Sequence, residues 1–327
     1  MKINYKVLDA NQVDSLPEQV DINYGTKQKE VDVAQNTERE GILNLEGLPI
    51  TTDIVNIGAL PNEAYAMLRR NGFGASDSSS LLNVNPYKTL ADLIKEKASD
   101  TMSEEEREIG YKVSVRKGND LEPLIMKKYE YYFGTPTIKP VDMYKFIDYP
   151  QMKINFDGVT QTSNGTYFPV EIKVATQWGQ KHYNPVKTIF TEQVGIGLTP
   201  GFAPLPEDVS DRNWSIETKA AHYGIPPYYY TQVQVEMLAL NANYGHLAVL
   251  FDKDWTLNVF HVWRDITVQN DIIIQSFKMW DKVLALRVAN GWADPSGESL
   301  RIQYEGTTDI NRSFAEGNKE INNIDEY

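Results

Sequence analysis

The chain has no cysteine among its 327 residues. Disulfides, thiolate zinc sites, iron–sulfur clusters and cysteine nucleophiles are therefore excluded. Histidine is scarce. His182, His222, His246 and His261 are dispersed without ligand spacing and receive no role. No apolar run approaches the roughly 20 residues needed to span a bilayer. The opening residues hold no apolar block of the secretory kind, so a cytoplasmic location is the expectation. Positive charge is also in deficit: 32 Lys and Arg face 45 Asp and Glu, a net charge of -13. That balance argues against a protein that coats nucleic acid. The deficit is uneven, however. Residues 1–55 and 294–327 are the acidic parts, while 56–293 are close to neutral, which leaves room for a local basic groove.

What is present reads as a soluble α/β chain long enough for a sizeable core. Residues 1–55 are polar, lack a sustained period and read as an acidic N-terminal extension. The middle, 56–293, opens with a helical pattern, "PNEAYAMLRRNG", stopped by Gly72. "SDSSSLLNVNPY" suggests a short helix capped by Ser76 or Asp77. "TLADLIKEKAS" is amphipathic through Leu90, Leu93 and Ile94. "NDLEPLIMKKYEYYFG" reads as a helix ending at Gly134, with Pro123 placing Glu122 near its beginning, because proline is tolerated only there. "KINFDGVTQ" and "TYFPVEIKVA" read as strands joined at Ser163-Asn164-Gly165. "PPYYYTQVQVEMLALNA" is a helix, "HLAVLFD" and "LNVFHVWR" a second hairpin, and "ITVQNDIIIQSFKMWDKVLALRVANG" a long closing helix. Residues of about 185–225 are Gly- and Pro-rich without a clear period and read as a loop-like insertion. An acidic tail, 294–327, follows.

The chemistry concentrates around Asp157, Glu171 and Lys173. Residues two apart on a strand share a face, so Glu171 and Lys173 emerge side by side with Ile172 behind them. Asp157 precedes the neighbouring strand and can reach the same patch. Two carboxylates and one backbone carbonyl, that of Ile172, are hard oxygen donors suited to Mg²⁺ or Mn²⁺. A lysine beside them stabilises negative charge at a phosphate, as metal-assisted phosphodiester hydrolysis requires. Alone, an Asp and a Glu-x-Lys at this spacing also make an ordinary surface pair. The apolar neighbours in "FPVEIKVA" favour the functional alternative, since burying Glu and Lys without partner or metal is costly.

Three further stretches extend the pattern: "RRNGFGASDSSSLLNVNPYKT" (69–89), "RKGNDLEPLIMKKY" (116–129) and "YYYTQVQVEM" (228–237). Together with the Asp157 and Glu171-Ile172-Lys173 pair they resemble, in order, the motifs of the YqaJ-like viral recombinases, the phage alkaline exonucleases of the lambda-exonuclease type. The resemblance spans about residues 62–265. It implies the PD-(D/E)xK, restriction-endonuclease-like fold, with a mixed central β-sheet flanked by helices. It also implies Asp157, Glu171, the Ile172 carbonyl and Glu122 at the metal, Lys173 as catalytic lysine, and Gln232 positioning water or lysine. Arg69, Arg70 and Ser76 are implied as 5′-phosphate contacts. Phe156 stands where the family signature has proline.

The activity implied is Mg²⁺-dependent 5′→3′ exonucleolysis of linear duplex ends, leaving 3′ single strands for phage recombination. A single-strand annealing protein and a homo-trimer are the implied partners. Two alternatives stay open: an endonuclease or conflict-system nuclease on the same fold, and a DNA-end or protein-binding module with reduced catalysis. The run Tyr228-Tyr229-Tyr230 reads as core packing ahead of base stacking.

Overall fold

The computed structural model describes residues 42–43, 49–50, 54–58, 69–100, 113–140, 143–162, 165–192 and 201–297. Its strands are β1 (Ile42–Leu43), β2 (Pro49–Ile50), β3 (Ile54–Gly58), β4 (Phe73–Gly74), β5 (Thr137–Ile138), β6 (Met143–Phe146) and β7 (Met152–Ile154). Then come β8 (Val159–Gln161), β9 (Tyr167–Ala175), β10 (Phe190–Thr191), β11 (Gly201–Phe202), β12 (Tyr244–Phe251) and β13 (Thr256–Trp263). The helices are α1 (Ser78–Leu81), α2 (Leu90–Ala98), α3 (Val113–Phe133), α4 (Ile216–Tyr223), α5 (Pro227–Leu240) and α6 (Ile266–Ala289). Among the described residues the main sheet runs β11-β10-β13-β12-β9-β8-β5, a second runs β3-β6-β7-β4, and β1 pairs with β2. The main sheet is mixed: β9 and β12 are parallel, with Glu171 opposite Leu247, and the other pairs are antiparallel.

Local chemistry sets the helix boundaries. Thr89 caps α2, accepting from Asp92 N while the Asp92 carboxylate reaches back to the Thr89 backbone, a capping box. Ser215 caps α4 in the same way at its start, and Gly224 closes it at φ 76°, a left-handed turn that favours glycine. Pro227 occupies the first turn of α5, where no amide partner is lost. Asp265 caps α6 by accepting from Val268 N at 3.1 Å.

Packing gives the sheet two different faces. Tyr129 of α3 bonds to His246 of β12, so α3 covers one face. Gln232 of α5 bonds to Glu171 of β9, so α5 covers the other. The pleat separates Val170 and Ile172 from Glu171 and Lys173 accordingly. The buried Val170, Ile172, Leu247, Val249, Val259 and Ile125 fill the interior, each contributing about 1.5–3 kcal/mol when fully removed from water.

Two sequence expectations change. Pro123 lies inside α3, which begins at Val113, so Glu122 is mid-helix and not in a first turn. Proline there removes one ladder bond at a cost of about 3 kcal/mol. Burial of Ile125, Met126 and Tyr129 just beyond it offsets that loss. The 185–225 segment is also more ordered than its composition suggests. It supplies β10 and β11 at the sheet edge, with Phe190 opposite Val259, and it contains α4.

Other expectations fall largely outside the described residues: most of 1–55, the helical pattern over 61–68, the Ser163-Asn164 turn, and the tail from residue 298. At the described margins, β3 pairs with β6. The first tail residues are fastened too, because Pro295 O accepts from Arg287 and Gly297 O from Asn71.

Candidate active site

The site forms where β9 loses its neighbour on the β8 side. Gly158 O accepts Val170 N at 2.9 Å, as a ladder partner should. One step further the strand is replaced by a side chain: Asp157 Oδ2 accepts Ile172 N at 3.0 Å. The expected continuous strand over 153–161 is therefore interrupted between β7 and β8, and Asp157 sits in the break. A Cβ at Gly158 would lie 2.6 Å from Met126 Cε. Any larger residue there would push the ends of the Met126 and Thr137 side chains aside next to Asp157.

Asp157, Glu171, Lys173 and Gln232 come together here. Glu171 is 1% exposed. Its Oε1 accepts from the Lys173 ammonium and from Gln232 Nε2, the latter at 2.5 Å. Its Oε2 is buried and receives no N–H donor, and the Glu236 carboxyl is its hydrogen-bonding neighbour in the cluster. Lys173 Nζ lies 3.6 Å from Asp157 Oδ2, and the lysine side chain keeps 23% of its surface in solvent. Burial, with Asp157 second, pushes the Glu171 carboxyl up to about 7, against the opposing pull of Lys173. For Lys173 burial favours the neutral amine, but Glu171 and then Asp157 outweigh it and raise the pKa, so the ammonium stays charged.

Glu236 joins this cluster, and the sequence reading missed it. It is buried, and its Oε1 lies 3.3 Å from Gln232 Nε2. Burial and then Glu171 hold its carboxyl well above the usual range. The available signal was its position four residues after Gln232, which puts both on one helix face. Tyr229 was likewise not tied to the site: Lys173 Nζ sits 5.5 Å from its ring centroid.

The remaining expected residues divide. Arg69 is exposed, and its Nη2 donates to Ser76 Oγ at 2.7 Å. In the same turn Ser78, Ser79 and Ser80 spend their hydroxyls on the carbonyls of Ala75, Ser76 and Lys88. Asp77 anchors the turn by accepting Gly74 N at 2.9 Å and pairing with Lys97 at 2.9 Å. Burial pushes the Asp77 carboxyl up, yet Lys97, Arg69 and Lys88 together hold it down at about 2. Arg70, expected beside Arg69 at a phosphate, is buried and bonds the carbonyls of Glu96 and Ser99 at 3.0 and 3.1 Å. Its consecutive position on the helix points it inward, and it braces α2. Glu122 pairs with Lys139 at 2.6 Å. Among the described residues no three acidic or histidine side chains gather closely enough to hold a metal ion, so Glu122 does not complete such a set with Asp157 and Glu171.

Tyr230 is core: fully buried, it donates to Asp265 Oδ2 at 2.8 Å. His246 and His261 form a buried pair at 3.2 Å on the sheet face covered by α3. No described helix is long and apolar enough to cross a membrane.

Residues 64–196 match the model of the YqaJ-like viral recombinase domain. Among solved structures, the alkaline exonuclease LHK-Exo from Laribacter hongkongensis is similar over 70% of this chain and 96% of its own, at 15% identity and a TM-score of 0.44. A phage-related exonuclease from Haemophilus somnus 129PT is similar over 65% of this chain and 95% of its own, at 14% identity and a TM-score of 0.36. No curated protein sequence matches the chain. Asp157 at the strand break and Glu171 and Lys173 on one face of the mixed sheet thus belong to a chain whose residues 64–196 are similar to the YqaJ-like viral recombinase domain.

Proposed function

We propose that the protein is a divalent-metal-dependent 5′→3′ exonuclease acting on linear double-stranded DNA ends and leaving 3′ single strands for recombination. The observation that carries this reading is the buried Glu171 carboxyl, whose Oε2 receives no N–H donor, gathered with Asp157, Glu236 and Lys173. A buried carboxylate oxygen without such a donor is costly unless a cation completes it. The donor set fits Mg²⁺, or Mn²⁺, held by Asp157, Glu171 and the Ile172 carbonyl. Such an ion supplies charge neutralisation at the scissile phosphate and lowers the pKa of a water.

The chain's own groups do the rest. Lys173, held as an ammonium, donates to the phosphate or to a water and does not act as a base. Gln232 fixes Glu171 Oε1 and so sets the direction of Oε2. Arg69 presents a charged fork suited to a terminal 5′-phosphate, with Ser76 beside it. One arrangement favours a second reading, a DNA-end-binding module with reduced catalysis: Lys173 occupies Glu171 and Lys139 occupies Glu122.

The deciding experiment incubates the full chain with 5′-phosphorylated linear duplex and with closed circular duplex, with and without Mg²⁺. Degradation of the linear form alone, only with metal, supports the exonuclease. Cleavage of the circle moves the endonuclease reading ahead, and binding without cleavage supports the module. Directionality is read with Arg69→Ala. Loss of a charge-assisted phosphate contact should slow 5′-phosphorylated ends about ten- to a hundredfold and leave 5′-hydroxyl ends nearly unchanged. Equal effects on both ends would remove Arg69 from phosphate recognition.

A further inference from the structure

The two neighbouring glutamines of α5 are spent differently. Gln234 is buried and satisfied at both ends: its Nε2 donates to Trp263 O at 2.9 Å, and its Oε1 accepts Asp265 N at 2.8 Å. Gln232 points about 200° away around the helix and is half-buried. Its Nε2 donates to Glu171 Oε1 at 2.5 Å and lies 3.3 Å from Glu236 Oε1. Its own Oε1 accepts from none of the described residues.

Glu236 is the costly member of this set. It is 1% exposed, and Val235 and Met237 on either side are buried as well. An apolar side chain would fill that place without the cost of burying a carboxyl. Among the described residues no ion pair offsets the cost, since Lys173 pairs with Glu171 and Asp157. The hydrogen-bonding neighbours of Glu236 are Gln232 and Glu171. Stability therefore does not account for this carboxyl, but its place on the helix does. The two hydrogens of an amide nitrogen lie in the amide plane, about 120° apart. One bond, to Glu171, leaves that plane free to turn, and a second acceptor fixes it. Glu236 stands four residues beyond Gln232 on the same face of α5, within reach of the second hydrogen. With both hydrogens committed to carboxyl oxygens, the Gln232 carbonyl faces out of the cluster.

We propose that Glu236 is a positioning residue: it holds the Gln232 amide with its nitrogen toward Glu171, so that Gln232 Oε1 stands outward as a fixed acceptor for the water that attacks the phosphate. The consequence for cleavage rests on the nuclease reading of this site, whereas the fixing of the amide does not. Glu236 touches neither substrate nor that water and acts through Gln232.

The experiment compares the full chain with Glu236→Met, Glu236→Ala and Glu236→Gln, each made alone and together with Gln232→Ala. The Met and Ala variants remove the acceptor with and without bulk, so one that misfolds leaves the other to decide. The Gln variant keeps an acceptor oxygen. Melting curves identify the folded proteins. The first readout is free of metal and of cleavage. It is the exchange of the Gln232 Nε2 protons with water, followed by NMR of protein labelled with ¹⁵N at glutamine and assigned by the signal lost in Gln232→Ala. Exchange should be about tenfold faster in the Met and Ala variants and slow again in the Gln variant. The second readout is steady-state kinetics on linear duplex in Mg²⁺. The Met and Ala variants should lose about three- to tenfold in kcat, as for one hydrogen bond, with KM unchanged, and the Gln variant should recover most of that loss. In the Gln232→Ala background the same changes at Glu236 should cost nothing further. Wild-type exchange rates in the Met and Ala variants overturn the proposal. So does a kcat loss that persists in full without Gln232, which would mean that Glu236 acts on Glu171 directly. A wild type that cleaves nothing in Mg²⁺ sinks the nuclease reading, and the exchange rates alone then decide whether Glu236 fixes Gln232.

Discussion

Gln232 Nε2 donates to Glu171 Oε1 at 2.5 Å and joins α5 to the strand that carries Glu171 and Lys173. The same amide nitrogen stands 3.3 Å from Glu236 Oε1, so a neutral donor lies between two buried carboxyls. One oxygen of Glu171 is thereby fixed by Gln232 and Lys173, and the other receives no N–H donor and shares the pocket with the Glu236 carboxyl. This arrangement stores destabilisation at the site, and the first two predictions follow from it.

Glu171→Gln should stabilise the fold and abolish cleavage. Burial raises the Glu171 pKa from 4.5 to about 7, so the folded protein holds this proton more tightly than the unfolded chain. Stability therefore falls as pH rises from 4.5 towards 7, and the variant escapes that loss. A gain of about 1 kcal/mol raises Tm by roughly 2–4 °C in a domain of this size, more at pH 8 than at pH 5. Thermal unfolding at both pH values and digestion of linear duplex in Mg²⁺ check it. A folded variant with wild-type activity would take Glu171 out of the chemistry.

Gln232→Ala should separate positioning from binding. It removes a bond to a carboxylate that stays buried, worth about 1.5–3 kcal/mol. The expected loss is in kcat, about ten- to a hundredfold, with KM for duplex ends little changed because no substrate contact is deleted. Steady-state kinetics decide. A change confined to KM would mean that Gln232 meets the DNA and does not set Glu171.

Much of this site was legible before folding, and the limits have physical causes. Glu171 and Lys173 share a face because strands alternate, so a two-residue spacing suffices. The caps at Thr89, Ser215 and Asp265 are local hydrogen bonds and are equally readable. Glu236 was not legible as a site residue, because its importance depends on which side of α5 meets β9. Arg69 and Arg70 are adjacent, and sequence gave them equal standing. A helix turns 100° between neighbours, so one faces Ser76 and the other is buried against the carbonyls of Glu96 and Ser99. Pro123 misled because tertiary burial overrode local preference in α3.

The histidine pair should make the fold acid-sensitive. Tyr129 OH meets His246 Nδ1 at 2.6 Å, and His246 Nε2 meets His261 Nδ1 at 3.2 Å. Burial, then His261, holds His246 well below its ordinary value. Burial likewise pushes His261 down to about 4. The unfolded chain takes up protons below about 6.5, whereas the folded pair resists until lower pH. Stability is therefore intact above 6.5 and is lost as pH falls towards 4. Tm should drop more between pH 7 and pH 5 in the wild type than in His261→Gln, whose amide does not titrate. Parallel Tm profiles for the two proteins would dismiss the pair as the cause.

Arg287→Met should be among the most damaging single changes away from the Glu171 cluster. Arg287 is 0% exposed and sits 4.9 and 4.2 Å from the rings of Trp280 and Trp292. Its guanidinium donates to the carbonyls of Lys97, Arg70 and Pro295 and to Asn71 Oδ1. Methionine fills much of the same volume but leaves three carbonyls without this donor, at about 1–3 kcal/mol for each one that stays buried and dry. With partial relaxation a total of about 3–5 kcal/mol is expected, a fall in Tm of roughly 10 °C. The affected groups, Arg70 O and Asn71 Oδ1, immediately follow Arg69, so the damage should reach the Arg69–Ser76 turn. Arg287→Lys, which retains a charge but not the planar fork, should fold and lose part of the preference for 5′-phosphorylated over 5′-hydroxyl ends. Melting curves of both variants and the end preference of Arg287→Lys test this. A Met variant within about 1 kcal/mol of wild type would mean that water replaces the guanidinium at those carbonyls.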